Sequence, residues 1–374
     1  MEPAIPFNKS VRLGNELERI SLALQGQTSG GGPFGKRCEE KLREMLGCPA
    51  LVVTSATHAL EMSALLLDIG AGDEVIVPSF TFVSTANAFL LRGAKIVFAD
   101  VDASGNIDPA SVARLVTPRT RAVMPVHYAG YCCDLDALGD AAGKAAIVED
   151  AAQAIGASFR GRPLGTFGAC AAVSFHETKN IGCGEGGALV LRDTSLLDRA
   201  EVIRDKGTNR RRFLEGLVDK YTWVDLGSSC ALSDLNAAWL SLQLEELPRI
   251  QARREQIQLR YFAELSEPFE RAGATLVRGR PGCSGNGHIF AAVFRAPEQR
   301  PRFIDHMRAQ GIATAFHYVA LHTSKMGEKL HDGRPLPMSE KLSSCLVRLP
   351  LFFNLGDAEV ERVVSAAQKF LRTC

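Results

Sequence analysis

At about 150 residues per domain, the 374 residues of this chain point to two or three folding units. Apolar residues make up 46% and charged residues 23%, which excludes an intrinsically disordered chain. The net charge of +1 gives no long-range attraction to nucleic acid or to an anionic membrane surface, so neither is expected as a partner. The 10 cysteines are scattered from Cys38 to Cys374; only Cys132 and Cys133 are adjacent, and no Cys-x-x-Cys occurs. That pattern fits free thiols in a reducing cytoplasm rather than a disulfide framework or a zinc ribbon, and no metal site is expected. Residues 1–8 lack the basic patch and apolar run of a secretory leader, and the uncharged stretch 75–91 is too short and too polar for a membrane span.

From residue 50 onward, short β-branched runs alternate with helical stretches. Strands are expected at 51–53, 75–77, 95–98, 122–125 and 146–148, and helices at 57–67, 84–91, 109–115 and 135–142. Such alternation with short loops means crossover units, hence an α/β fold with a mainly parallel sheet covered by helices on both faces. Two further strands are expected at 171–175 and 187–191, joined by a Gly-rich turn, then a loop-rich stretch at 206–229. One long helix is expected over 233–265. A smaller α+β unit should follow, giving a large domain over 1–245 and a small one over 246–374, with the first 25 or so residues returning to the small unit.

Ligands of open α/β sheets sit beyond the carboxyl ends of the strands, so the residues just after each strand are the candidates. Thr54, Ser55, Ala56 and Thr57 lead from the first strand into a helix, an arrangement that suits a phosphate. It suits a plain N-cap equally, worth about 1 kcal/mol with no ligand. Asp150 ends the strand at 146–148 and could pair with a cationic ring nitrogen or simply cap the turn that follows. Lys179 follows the strand at 171–175, five residues beyond Ser174. Taken together, a phosphate cradle, a carboxylate and a lysine on neighbouring strand ends are what pyridoxal phosphate needs. Phe80 and Phe82 follow the second strand at the end where an aromatic side chain could cover its ring, although either alone reads first as core packing.

The strings Phe175-His176-Glu177-Thr178-Lys179-Asn180, Val148-Glu149-Asp150-Ala151-Ala152-Gln153 and Pro78-Ser79-Phe80-Thr81-Phe82 resemble those of the nucleotide-sugar aminotransferases. These are pyridoxal-phosphate enzymes of the DegT/DnrJ/StrS type, with the aspartate aminotransferase-like fold called fold type I. The resemblance runs nearly end to end, from Ile5-Pro6-Phe7-Asn8 to Leu349-Pro350-Leu351-Phe352-Phe353-Asn354. It implies that Lys179 forms the Schiff base, Asp150 meets the pyridine nitrogen, Gln153 meets the ring hydroxyl and Phe82 lies over the ring. Ala56, Thr57 and Ser174 would bind the phosphate. It further implies a homodimer with shared sites, in which Ser229 on the loop Gly227-Ser228-Ser229 reaches a partner's phosphate; many relatives carry Asn there. His317, Tyr318 and His322 match a segment near the substrate, with Ala320 in place of the usual Pro. The strings Ser84-Thr85-Ala86-Asn87-Ala88-Phe89, Lys206-Gly207-Thr208-Asn209-Arg210 and Val218-Asp219-Lys220-Tyr221-Thr222-Trp223 imply a glutamate-dependent transfer to C4 of dTDP-4-keto-6-deoxyglucose. A 3-keto or GDP-linked sugar, or a non-catalytic regulator keeping the fold, are the alternatives. Sugar dehydratases that resemble this family carry histidine in place of the lysine, and Lys179 argues against that use.

Arg210, Arg211 and Arg212 form either a solvated basic run or a contact to a sugar-nucleotide diphosphate, with Arg210 the candidate. His127 reads as a satisfied structural histidine and Cys183 as packing. Gly30-Gly31-Gly32-Pro33-Phe34-Gly35 matches a dinucleotide fingerprint literally but lacks the preceding strand, which argues against that use. The resemblance implies a place near the substrate entrance, where a mobile Gly-rich loop fits.

Overall fold

The apolar runs form one seven-stranded sheet in the computed structural model, which describes residues 4–373; residues 1–3 and Cys374 lie outside the described residues. Its strands are β1 (Ala50–Val53), β2 (Glu74–Pro78), β3 (Lys95–Ala99), β4 (Thr120–Val123), β5 (Ala146–Asp150), β8 (Cys170–Ser174) and β9 (Gly187–Leu191). The order across the sheet is β1-β9-β8-β5-β4-β2-β3. All neighbours run parallel except β9, which is antiparallel to both β1 and β8. The carboxyl ends of the six other strands therefore share one edge.

Alternation along each strand divides the large core in two. Val52, Ile76, Val97, Val123 and Val173 point to one face, where helices Pro33–Leu46 and Asp234–Glu245 cover them with Leu42, Leu46, Leu240 and Leu244. Val53, Val75, Val77, Phe98 and Val148 point to the other, under helix Ala56–Leu66 with Leu60 and Met62. Both faces are dry, which is why these strands read as continuous apolar runs.

A third core gathers β12 (Phe290–Val293), β13 (Leu346–Leu349) and β10 (Thr275–Leu276) with helices Leu247–Arg271 and Asp357–Leu371. Ile5 joins it and bridges to Ile312. Phe80, Tyr128 and Tyr131, from loops beyond the carboxyl edge of the large sheet, also pack into this core, so that edge lies against the second body. A short ribbon of β6 (Ser158–Phe159), β7 (Arg162–Pro163) and β11 (Cys283–Ser284) adds another link between them.

Two expectations differ from what is found. The single helix over 233–265 is two helices, Asp234–Glu245 and Leu247–Arg271. Pro248 sits in the first turn of the second, where a missing N–H costs nothing but where the preceding helix cannot run through. The glycines at 30–32 are not a free loop. Asp234 accepts hydrogen bonds from the N–H groups of Phe34 (3.2 Å) and Gly35 (2.8 Å), and a Cβ on Gly32 would lie 2.4 Å from the Asp234 carboxyl carbon. The stretch is a capped helix start wedged against a second helix.

Candidate active site

Register builds one wall of the site. Gly187, the first residue of β9, pairs with Val53 at the end of β1 and with Ser174 at the end of β8. The pairing brings Ser174 beside the start of helix Ala56–Leu66. A Cβ on Gly187 would lie 2.4 Å from the Ala56 nitrogen, so only glycine permits this approach. The Ser55 hydroxyl accepts from the His58 N–H at 3.1 Å. The N–H groups of Ala56 and Thr57 have no intrahelical acceptor, and with the Thr57 and Ser174 hydroxyls on the same strand-end wall they are the groups with the chemistry to hold an anion. The Thr57 hydroxyl is shared with Ser84 at 2.8 Å.

Asp150 ends β5 with its side chain buried and fixed on both oxygens. Oδ2 accepts from the Thr85 hydroxyl at 2.8 Å, and Oδ1 from the Ala152 N–H at 3.2 Å. Thr85 has one hydroxyl hydrogen and gives it to Asp150, so Thr81, 2.9 Å away, must donate to Thr85. One turn after Asp150, Gln153 accepts from the Ala129 N–H at 2.8 Å and donates to the Tyr318 hydroxyl at 2.9 Å. Its second amide hydrogen has no acceptor among the described residues. Ala129 is held at φ 62°, a left-handed conformation costly for a residue with a side chain, and this aims its N–H at Gln153.

Lys179 lies between β8 and β9, on a backbone tied down from two sides. Asn8 and Ser10 donate to the carbonyls of Thr178 (3.1 Å) and Glu177 (3.2 Å), and Asn180 donates to the Asn286 carbonyl at 2.9 Å. Lys179 is half-buried and lines a cavity. Burial pushes its pKa down, the Asp150 charge pulls it back, and Arg348 lowers it further, leaving it below the usual lysine range.

Beside Lys179 is a cavity of about 310 Å³ whose walls include Gln153, Arg254, His288, His317, Tyr318 and Arg348. No carboxylate lines it, so its charged wall is basic throughout. Arg254 is fully buried and spends its guanidinium on the carbonyls of Gly287 (3.1 Å) and His288 (2.7 Å). Arg348 donates to the Phe316 carbonyl at 3.0 Å and stacks on Phe7, with no carboxylate partner and an unpaired Nε among the described residues. Both cavity histidines are held neutral, by burial first and then by neighbouring cations, Lys179 and Arg348 among them. The tautomer of His288 follows from its partner. The Asn180 amide nitrogen is used on Asn286, so its oxygen accepts from His288 Nδ1 (2.8 Å), leaving His288 Nε2 an acceptor. The Tyr128 hydroxyl, kept protonated by burial, shares a hydrogen bond with His317 Nδ1 (3.1 Å).

The other expected residues fall as follows. Phe82 is 57% exposed, tilted against Tyr318 at 6.5 Å, with one face open. His322 is buried but outside the cavity wall, bonded to Ser79 (2.6 Å) and Glu340 (3.4 Å). Arg210 opens the short helix Arg210–Leu214 near Asp205 (3.6 Å), also outside the cavity wall. Ser229 is exposed on the protomer surface. His127 Nε2 meets Glu149 Oε2 at 2.7 Å with both side chains fully buried, a structural pair under the site. Thr85, Gly187, His288 and Arg348 are the site residues that sequence reasoning does not single out. Thr85 is the second residue of helix Ser84–Leu90 and Gly187 opens β9, so a search of the residues just after each strand end passes over both.

A buried carboxylate, a lysine and a helix-start anion cradle on adjoining strand ends are the donor set for pyridoxal phosphate. The tight Gly187–Ala56 approach and the free Gln153 amide hydrogen show that the residues present fit it. Fold and site thus define a pyridoxal-phosphate-dependent aminotransferase of the mixed-sheet class. The profile of the DegT/DnrJ/EryC1/StrS aminotransferase family matches residues 13–368, and the chain belongs to that family. The aminotransferase TlmJ from Streptoalloteichus hindustanus is 30% identical, with 99% of each chain covered and a TM-score of 0.90. DesV from S. venezuelae, solved in complex with a ketimine intermediate, is 31% identical over 99% of each chain, with a TM-score of 0.89. For 3-amino-5-hydroxybenzoic acid synthase the values are 28% identity, 99% of this chain and 100% of that one, and a TM-score of 0.88. No helix among the described residues is long and apolar enough to cross a membrane.

Proposed function

We propose that this chain moves the amino group of glutamate to C4 of a keto-sugar nucleotide, dTDP-4-keto-6-deoxyglucose, giving dTDP-4-amino-4,6-dideoxygalactose in the cytoplasm. The observation that carries the transfer is the Lys179 amine, its pKa lowered by its surroundings, between Asp150 and a cavity with basic walls. The resemblance over 84–89, 206–210 and 218–223 supports the sugar and the position of the ketone.

Pyridoxal phosphate, when bound, supplies an electron sink for the pair left as the amino carbon loses its proton. The chain's residues do the rest. Ala56, Thr57 and Ser174 hold the phosphate. Asp150, fixed by Thr85, holds a proton on the ring nitrogen, and Gln153 gives its remaining amide hydrogen to the ring hydroxyl. Lys179 would move the proton between the two reacting carbons; its lowered pKa keeps the neutral, proton-accepting form accessible. Arg348 meets a carboxylate of the amino donor, since its guanidinium lacks an anionic partner and faces the same cavity. His288 Nε2 accepts a hydrogen bond from a polar group of the substrate, and His317 offers a second polar contact on the same wall.

A homodimer with shared sites is part of this reading. Leu91 (72% exposed), Trp223 (74%) and Leu226 (53%) leave apolar surface uncovered around the loop that ends at Ser229, as a partner subunit would require. The test of the substrate is direct. Protein loaded with pyridoxamine phosphate is given dTDP-4-keto-6-deoxyglucose, and the product's mass and C4 configuration are determined. The galacto amine is expected; conversion of a 3-keto or GDP-linked sugar in preference would replace this substrate.

A further inference from the structure

Outside the site, two thiols of the described residues approach one another across the join between the two bodies. Cys132 Sγ and Cys283 Sγ are 2.9 Å apart, and the Cys132 N–H also donates to Cys283 Sγ at 3.3 Å. A disulfide needs the sulfurs at about 2.05 Å, so closing the pair requires a shift of roughly an ångström. The two differ in surroundings. Cys132 is buried, and its thiol is pushed up by its bond to Cys283 and by desolvation. Cys283 is partly exposed on the two-residue strand β11. Its thiol is brought down to about 7, through the Cys132 hydrogen bond first and then against the opposing effect of burial, with help from the Cys132 N–H, His127 and Arg280. A partly exposed thiol of lowered pKa next to a buried second thiol is the arrangement of a sulfenate-forming cysteine and its resolving partner.

We propose that Cys132 and Cys283 form a peroxide-reactive dithiol that closes reversibly to a disulfide. The Cys283 thiolate attacks hydrogen peroxide, breaking the O–O bond; with one proton taken up, this gives Cys283 sulfenic acid and water. The Cys132 sulfur then attacks the sulfenic sulfur, and its thiol proton leaves with the hydroxyl as a second water. Over the two steps the thiols lose two electrons and the peroxide gains them. A thiol reductant reverses the bond by exchange.

Both ends of the pair lead to Gln153. Three residues before Cys132, the strained Ala129 N–H holds the Gln153 carboxamide oxygen. Three residues after Cys283, Asn286 donates to the backbone carbonyls of Gln153 (2.8 Å) and Ile155 (2.9 Å). Asn286 also accepts from the His288 N–H at 3.1 Å. Drawing the sulfurs together displaces one or both segments, so the disulfide form transaminates more slowly than the dithiol form. This consequence rests on the proposed function; the bond itself does not.

The holoenzyme is treated with hydrogen peroxide, digested without reduction and mapped by mass, and its rate with glutamate is followed before and after dithiothreitol. A linked Cys132–Cys283 peptide lighter by two hydrogens, with a rate that falls at least about threefold and recovers on reduction, is expected. Cys132→Ser should give no link, keep the reduced rate and carry stable sulfenic acid at Cys283, trapped by dimedone. No thiol loss, a link to Cys133 instead, or over-oxidation of Cys283 without a link overturns the site. A Cys132–Cys283 link with an unchanged rate overturns its coupling to Gln153. A wild-type protein inert to glutamate even when reduced counts against the aminotransferase reading, and the peptide map alone then decides for or against the dithiol.

Discussion

Thr85→Val removes the hydroxyl that holds Asp150 and little else. Thr85 is fully buried and Val has nearly the same shape, so no water takes the hydroxyl's place and no large cavity opens. The lost bond is 2.8 Å long and ends on a carboxylate oxygen, while the Ala152 N–H at 3.2 Å stays. Hydrogen bonds to charged groups contribute about 1.5–3 kcal/mol when buried. If all of that serves to aim Asp150 at the ring nitrogen, cofactor affinity falls by about tenfold to a hundredfold. The figure is an upper bound, because Thr81 also loses its acceptor and some cost falls on the apoprotein. The assay is titration of apoprotein with pyridoxal phosphate, read by visible absorption, with the melting temperature taken alongside. Thr85→Ser, which keeps the hydroxyl, should bind close to wild type. A Thr85→Val protein that binds as tightly and turns over as fast as wild type refutes the claim that Thr85 orients Asp150.

Gly187→Ala forces a Cβ against the Ala56 nitrogen, so it should cost affinity for pyridoxal phosphate but much less for pyridoxal, which lacks the phosphate; equal losses for both would mean the cradle is elsewhere. Arg348→Gln should raise the KM for glutamate by about tenfold or more while changing the keto-sugar half-reaction far less, the difference expected from one charge-assisted bond; parallel losses in both halves would assign Arg348 to shared architecture. Glu149→Gln breaks a buried pair with His127 and turns an amide against the N–H groups of Gly165, Phe167 and Gly168, so a loss of about 3 kcal/mol at neutral pH is expected by thermal denaturation. Burial raises the Glu149 pKa, but His127 and the backbone donors more than offset it, so the folded value lies below the unfolded one. The stability it contributes is therefore present above the unfolded pKa, near 4.5, and is lost as pH falls through the folded value. The melting gap between wild type and Glu149→Gln should narrow on acidification; a gap independent of pH would show that Glu149 is not the ionised member of the pair.

The sheet is legible in the sequence because each strand is buried on both faces, which leaves an uninterrupted apolar run such as Val75, Ile76 and Val77 between polar helix caps. Asp150 and Lys179 are legible together rather than singly: Asp150 alone also reads as a cap and Lys179 lies five residues beyond Ser174, so their combination and the strings around them single them out. The two helices around Glu246 read as one because amphipathic spacing continues across it, and only Pro248 marks the break. Arg348 and His288 are out of reach, because their roles depend on Lys179 across more than a hundred residues of chain, and nothing local distinguishes an arginine on β13 from any other strand arginine. The Cys132–Cys283 approach is of the same kind, since two thiols 151 positions apart leave no spacing signal. The glycines at 30–32 show the converse: a string with a familiar pattern whose actual constraint, Asp234, lies two hundred residues away.

The central claim is that the protein, holding pyridoxal phosphate at Lys179, moves the amino group of glutamate to a keto-sugar nucleotide. The measurement that tests it most directly is the visible absorption of the purified protein, taken alone, after glutamate, and after subsequent addition of dTDP-4-keto-6-deoxyglucose, with Lys179→Ala beside wild type. The expected result is a lysine-linked absorption band that glutamate removes and the sugar restores, absent from Lys179→Ala. A protein with no such band after incubation with pyridoxal phosphate, or a Lys179→Ala protein that keeps it, would contradict the account.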